Sequence, residues 1–219
     1  MSGMEKDRFN LTIAIPTVVG REALFATLRD FLAAQIAQHN LADKVEVISL
    51  CDNKEISIGA KRQRLYEMAR GTFCVQIDDD DTVHPAFVPV LNTVIERYPQ
   101  VSGIGYIEHC SINGQECLAH HSNGWSDWGE NGEVAGRHFA YVRTLFFKDP
   151  LRTSICRQVG VADLRYGEDV DFARRLKASG LLQATIDLPQ VMYYYRYTDE
   201  PHAAKYGFDR NNPSAPSGS

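Results

Sequence analysis

Four consecutive aspartates, Asp78 to Asp81, stand directly behind the apolar run that ends at Ile77 in "CVQIDDDDTVHPAF". Like charges set this close repel unless solvent or a cation offsets them. Alternate side chains at a strand end point the same way, so Asp78 and Asp80 are expected to face one side and Asp79 the other. Hard cations such as Mg²⁺ or Mn²⁺ take oxygen ligands, and Mg²⁺ sites use one or two carboxylates completed by substrate phosphates. A hydrated acidic turn competes with that reading. A second acidic group, Glu168, Asp169 and Asp171 in "YGEDVDFARRL", opens a predicted helix, whose dipole alone favours negative charge there. Asp169 also follows a glycine turn, where a carboxylate can act as general base toward a hydroxyl. His109, Cys110, Cys117, His120 and His121 crowd nitrogen and sulfur donors into one segment, but their spacing fits no standard zinc pattern. They read as incidental donors in a polar loop.

The elements that must carry these groups follow from the apolar pattern. "LTIAIPTVV" is a buried strand stopped by Gly20, and "REALFATLRDFLAAQIAQHN" an amphipathic helix with Leu24, Leu28, Phe31, Leu32 and Ile36 on one face. "KVEVISLCDN" is a second strand, "IGAKRQRLYEMARG" a helix closed by Gly71, and "TFCVQI" a third strand. Continuous apolar strands alternating with helices imply a parallel sheet covered on both faces, with ligands beyond the strands' carboxyl ends. A helix over 85–98, the strand or strand pair "VSGIGYIEHCSI", a helix "DVDFARRLKASG" capped by Gly180 and a late strand "VMYYYRYT" follow. Residues 113–138, rich in Gly, Asn and aromatic side chains, read as a long loop or irregular hairpin. Its Trp125 and Trp128 offer aromatic faces to a sugar or base ring, with ordinary packing of the hairpin as the competing reading.

With 44% hydrophobic and 23% charged residues, the 219-residue chain has the composition of a globular protein: one domain over 1–208 and a disordered tail over 209–219. A net charge of −5 provides no global basic field for nucleic acid or an anionic membrane. No apolar stretch reaches the ~20 residues of a spanning helix, and "MSGMEKDRFN" lacks a signal-peptide core, so the expected location is the cytoplasm. Five scattered cysteines imply reduced thiols rather than a disulfide framework.

In order and spacing, the strand "IAIPT", an Asp closing the second strand, the helix "GAKRQRLYEMARG" leading into "IDDDDTVHP", then "GEDVDFARRL" and "YYYRY" resemble family 2 glycosyltransferases with the GT-A fold. The likeness spans Leu11 to Tyr197 and implies an α/β, Rossmann-like three-layer sandwich around a mostly parallel central sheet. It also implies an inverting, metal-dependent transfer of sugar from a nucleotide-diphosphate sugar, a UDP-sugar foremost, to an acceptor hydroxyl. By resemblance, Asp169 is the catalytic base with Glu168 beside it, and Asp80 the ligand of Mn²⁺ or Mg²⁺. Asp78, Asp79, Asp52, Lys61, Arg62, Pro16 and Thr17 line the donor site. His202, and Lys205 near it in "DEPHAAKYG", stand where some members bring a late histidine to the metal or diphosphate. The acceptor class stays open among glycan, lipid, protein and modified nucleobase. Two other readings remain: a nucleotidyltransferase acting on sugar phosphates, weakened because "IPTVVGRE" has one glycine and one arginine, and a catalytically silent nucleotide- or carbohydrate-binding module.

Overall fold

The computed structural model describes residues 8–198; His202, Lys205 and the 209–219 tail lie outside the described residues. In chain order the elements are β1 (Phe9–Val18), α1 (Glu22–Gln38), β2 (Val45–Asp52), α2 (Ile58–Met68), β3 (Gly71–Gln76), β4 (Thr82–Val83), α3 (Phe87–Arg97) and β5 (Gly103–Ile112). Then come β6 (Gln115–His121), β7 (Gly129–Val134), β8 (Arg137–Arg143), β9 (Leu151–Arg152), α4 (Thr153–Val159), α5 (Glu168–Ala178) and β10 (Thr185–Tyr197).

All ten strands form one sheet, ordered β2-β1-β3-β9-β5-β6-β8-β7, with β10 on β5 and β4 on β10. β1 runs parallel to both β2 and β3, and β10 parallel to β5. The short β9 joins these two parallel blocks by pairing antiparallel to β3 and to β5, so the sheet is mixed. The period of two assigns the faces. Leu11, Ile13, Ile15, Phe73 and Val75 pack with Leu28 and Leu32 of α1 and Phe87 and Leu91 of α3. Ala14 and Cys74 belong to the opposite core, with Leu65 and Tyr66 of α2, Cys156 of α4 and Phe172 and Leu176 of α5. Burial of this apolar surface, at about 25 cal/mol per Å², is the main force holding the three layers.

Two sequence expectations change, and one helix has no counterpart among them. The 113–138 stretch is largely sheet: β6 pairs antiparallel with β5 and parallel with β8, and β7 pairs with β8. Positive φ at Asn113, Gly114, Asn131, Ala135 and Gly136 provides the turns and the irregularity. The aperiodic pattern arises because β6 and β7 lie far out on the sheet, where both faces of a strand can be polar. Gly71 does not close α2, which ends at Met68 with Ala69 as its extended cap. It opens β3 instead, where a Cβ would meet the Thr12 backbone nitrogen at 2.5 Å, so only glycine allows the β1–β3 approach. α4 carries only seven residues, too short for a periodic signal.

Candidate functional site

β1, β2 and β3 are parallel, so their carboxyl ends open on the same side, together with the turn behind β3 and the first turn of α5. They enclose a cleft of about 520 Å³. Pro16, Thr17, Asp52, Lys61, Arg62, Asp78, Asp79, Asp80, Glu168 and Asp169 all line it. Every described residue nominated for catalysis, donor binding or metal is therefore brought to one place.

The aspartates are arranged otherwise than strand geometry predicts. β3 stops at Gln76, and the Asp81 N–H donates to the Asp78 carbonyl at 3.1 Å, so residues 78–81 form a turn in which the period of two no longer applies. Asp78 and Asp80 are not a facing pair, and Asp79 does not point away. Asp79 shares Arg21 with Asp80, at 2.7 and 2.5 Å. It also accepts the Thr17 hydroxyl at 2.6 Å. Burial holds the Asp79 carboxyl up at about 6 despite Thr17 and Arg21. Asp78 divides its oxygens between Arg62 at 2.7 Å and Lys148 at 3.4 Å. Burial acts to raise its pKa, but these two cations bring it down to about 2. Asp81 turns inward to Lys148 at 2.7 Å and to the Tyr193 hydroxyl, which donates to it at 2.6 Å. Burial keeps it up at about 7.

Lys61 and Arg62 on α2 are not a solvated helix face. Both are buried, at 2% and 4% exposure. Lys61 donates to the Thr17 carbonyl at 2.6 Å and forms an ion pair with Asp52, tying the ends of β1 and β2 together. Lys61 and the Ile56 N–H outweigh burial and lower the Asp52 pKa. The Arg62 guanidinium lies 3.8 Å from the Phe147 ring centre and reaches Glu168 at 3.3 Å, so it links the aspartate turn to α5. Burial raises the Glu168 pKa in spite of Arg62.

α5 begins at Gly167, whose φ of +73° is the left-handed conformation that favours glycine. The turn it makes puts Asp169 at the cleft wall, where its Oδ1 accepts the Val170 N–H at 2.8 Å. Arg143 of β8 lines the cleft as well, 2.7 Å from buried Glu108 and with its guanidinium 5.0 Å from the Trp128 ring centre. Trp128 lines the cleft, whereas Trp125 packs away from it and donates to His120 at 2.9 Å. The five His and Cys residues set aside as incidental donors lie on β5 and β6 rather than in a loop, with Cys110 directly across from Cys117, and pair with other side chains. His121, for example, is buried between Asp149 at 2.9 Å and Glu108 at 3.4 Å.

Arg21, Lys148 and Arg143 were not nominated from the sequence. Arg21 leaves a faint signal, as the basic residue just after the first strand in "VVGRE". Lys148 has a better one, since a lysine inside "LFFKDP" is seldom buried without a carboxylate.

The donor set sets limits on a metal. Among the described residues no three His, Cys, Asp or Glu side chains form a cluster able to hold an ion. Both oxygens of Asp78 and of Asp79 are engaged. Asp80, 27% exposed, gives Oδ2 to Arg21 and keeps Oδ1 for a ligand. These residues fit an ion that takes one protein carboxylate and completes its shell from substrate phosphates and water, not one caged by protein alone.

No protein-family model and no curated protein matches the sequence. The structure is similar to that of S. aureus TarS 1-349 in complex with UDP-GlcNAc, at 15% identity and a TM-score of 0.53, over 90% of this chain and 61% of that one. The same fragment in complex with UDP gives 16% identity and a TM-score of 0.53, over 86% and 60%. The longer TarS structure gives 17% identity and 0.52, over 86% and 37%. The chain thus spans about three fifths of the shorter TarS fragment and less of the longer chain. The fold is that of a GT-A glycosyltransferase.

Proposed function

We propose that this chain transfers a sugar from a nucleotide-diphosphate sugar to an acceptor hydroxyl with inversion. The observation that carries the reading is the convergence of ten residues, nominated from five separate stretches of sequence, on one cleft at the strand carboxyl ends. Binding of UDP and UDP-GlcNAc by structurally similar TarS supports a UDP-sugar as donor.

The residues divide the work. Asp52, held by Lys61, lies at the end of β2 and receives the base of the nucleotide, with Pro16 and Thr17 beside it. Asp78, kept ionised by Arg62 and Lys148, takes the ribose. Asp80 would hold Mn²⁺ or Mg²⁺ together with the donor diphosphate, and the ion supplies neutralisation of the charge that grows on the leaving group. Asp169 accepts the acceptor hydroxyl's proton as its oxygen attacks the anomeric carbon from the face opposite the diphosphate. Glu168 stays on Arg62 and fixes the start of α5. One carboxylate base suffices because the nucleoside diphosphate is already a good leaving group.

The test is Asp169→Asn, which keeps shape and hydrogen bonding but removes basicity. Turnover should fall ~10²–10⁴-fold, with UDP affinity and melting temperature near those of the parent. A variant that is less stable but fully active places the base elsewhere. Release of pyrophosphate in place of UDP by the parent would indicate nucleotidyl transfer instead.

A further inference from the structure

We propose that the acceptor half of the cleft is built for an anionic acceptor, one that carries a phosphate or carboxylate beside the hydroxyl to be glycosylated. The proposal rests on the glycosyltransferase reading and concerns its second substrate. The cations near the strand ends are already committed: Arg21 to Asp79 and Asp80, Arg62 to Asp78 and Glu168, Lys148 to Asp81 and Asp78. The wall around Asp169 differs. It is formed by the end of β8, the segment before α5 and the end of β10, which present Arg143, Arg165 and Arg196 to the cleft. Arg143 is neutralised by Glu108 and braced on Trp128. Arg165 and Arg196 are exposed, and neither has an ion pair or hydrogen bond among the described residues. Arg165 lies two residues before Gly167, so the turn that presents Asp169 also presents Arg165.

Two guanidiniums without an ion pair among the described residues would need no partner on a convex surface, but in the wall of one cleft they raise its positive potential and attract an anion from solution. The guanidinium fork matches the paired oxygens of a carboxylate or phosphate, two hydrogen bonds at a time. A neutral polyol cannot use that charge. An anion held there keeps its adjoining hydroxyl near Asp169, while the donor diphosphate is held by the opposite wall.

The experiment uses the full chain saturated with UDP, so that the donor site is filled, and titrates it calorimetrically with glucose 6-phosphate, glucuronate and glucose. One or both anionic probes should bind about tenfold or more tightly than glucose, with an affinity that falls as salt rises. The probe that binds names the group. Arg165→Gln/Arg196→Gln should abolish the preference and leave UDP affinity unchanged. Equal binding of all three probes, or an unchanged preference in the double variant, overturns the proposal. A matching loss of UDP affinity in that variant also overturns it and assigns the arginines to the donor diphosphate. Failure of the parent to bind UDP overturns the transferase reading, and this proposal with it.

Discussion

At the scale of single residues, Asp80 and its neighbours divide into a carboxylate left partly free and carboxylates already paired. Asp80 keeps one oxygen outside its ion pair with Arg21 and sits at a partly exposed turn, so its loss should spare the fold. Asp80→Asn is expected to retain metal-free UDP affinity and to lose the increase that Mn²⁺ brings, read by calorimetry with the ion and with chelator. An undiminished Mn²⁺ effect would move the metal to another ligand. The site's acidic members were legible because carboxylates at strand and helix ends leave a local signature. Their cationic partners were not. Arg21 meets Asp80 across 59 residues and Lys148 meets Asp81 across 67, and such pairings have no local pattern.

At the scale of elements, α2 packs on the segment before α5, and both line the cleft. The Gly59 N–H donates to the Leu164 carbonyl at 3.0 Å, and a Cβ on Gly59 would stand 1.9 Å from the Ala162 carbonyl oxygen. Gly59→Ala must therefore push α2 away from the chain that leads to Asp169. Overpacking of this kind costs ~1–3 kcal/mol, or roughly 2–12 °C in melting temperature for a domain of this size. Turnover should fall as well, because Lys61 and Arg62 ride on α2. A melting curve and a rate on one variant check both, and a stable, fully active protein would show that the contact relaxes without moving the site. The parallel βαβ core was legible through its continuous apolar strands and helical periods. The β6–β8 extension was not, because its strands combine polar faces with turns at Asn and Gly, which read locally as a loop.

At the scale of the whole molecule, Lys148 joins parts of the chain that share no element. Its ammonium lies between Asp78 and Asp81 and 4.6 and 4.5 Å from the ring centres of Tyr193 and Tyr195. Lys148→Met leaves buried carboxylates without their cation, which costs ~3–5 kcal/mol when they are ionised. The pH dependence has a definite sign. Burial already holds Asp81 at about 7 in the folded chain, and removing Lys148 raises it further. Over the range above its unfolded value of ~3.9 the folded state keeps a proton that the unfolded state has released, and that contribution is lost as pH rises through the folded pKa. Parent and variant both keep Asp81 protonated below the parent's folded pKa, so urea unfolding should show a similar penalty at pH 5 and 6.5 and a larger one at pH 8, and a penalty that does not change would assign Lys148 a packing role alone. The hydroxyl of Tyr193, on β10, completes the acidic turn from 112 residues downstream of Asp81. On a ribosome adding ~5–20 residues per second, the aspartates emerge ~6–22 s before that partner is made. Until then β1–β3 can pair, but the acidic turn must remain in water, so the first half of the nascent chain has a sheet to build on and no finished cleft.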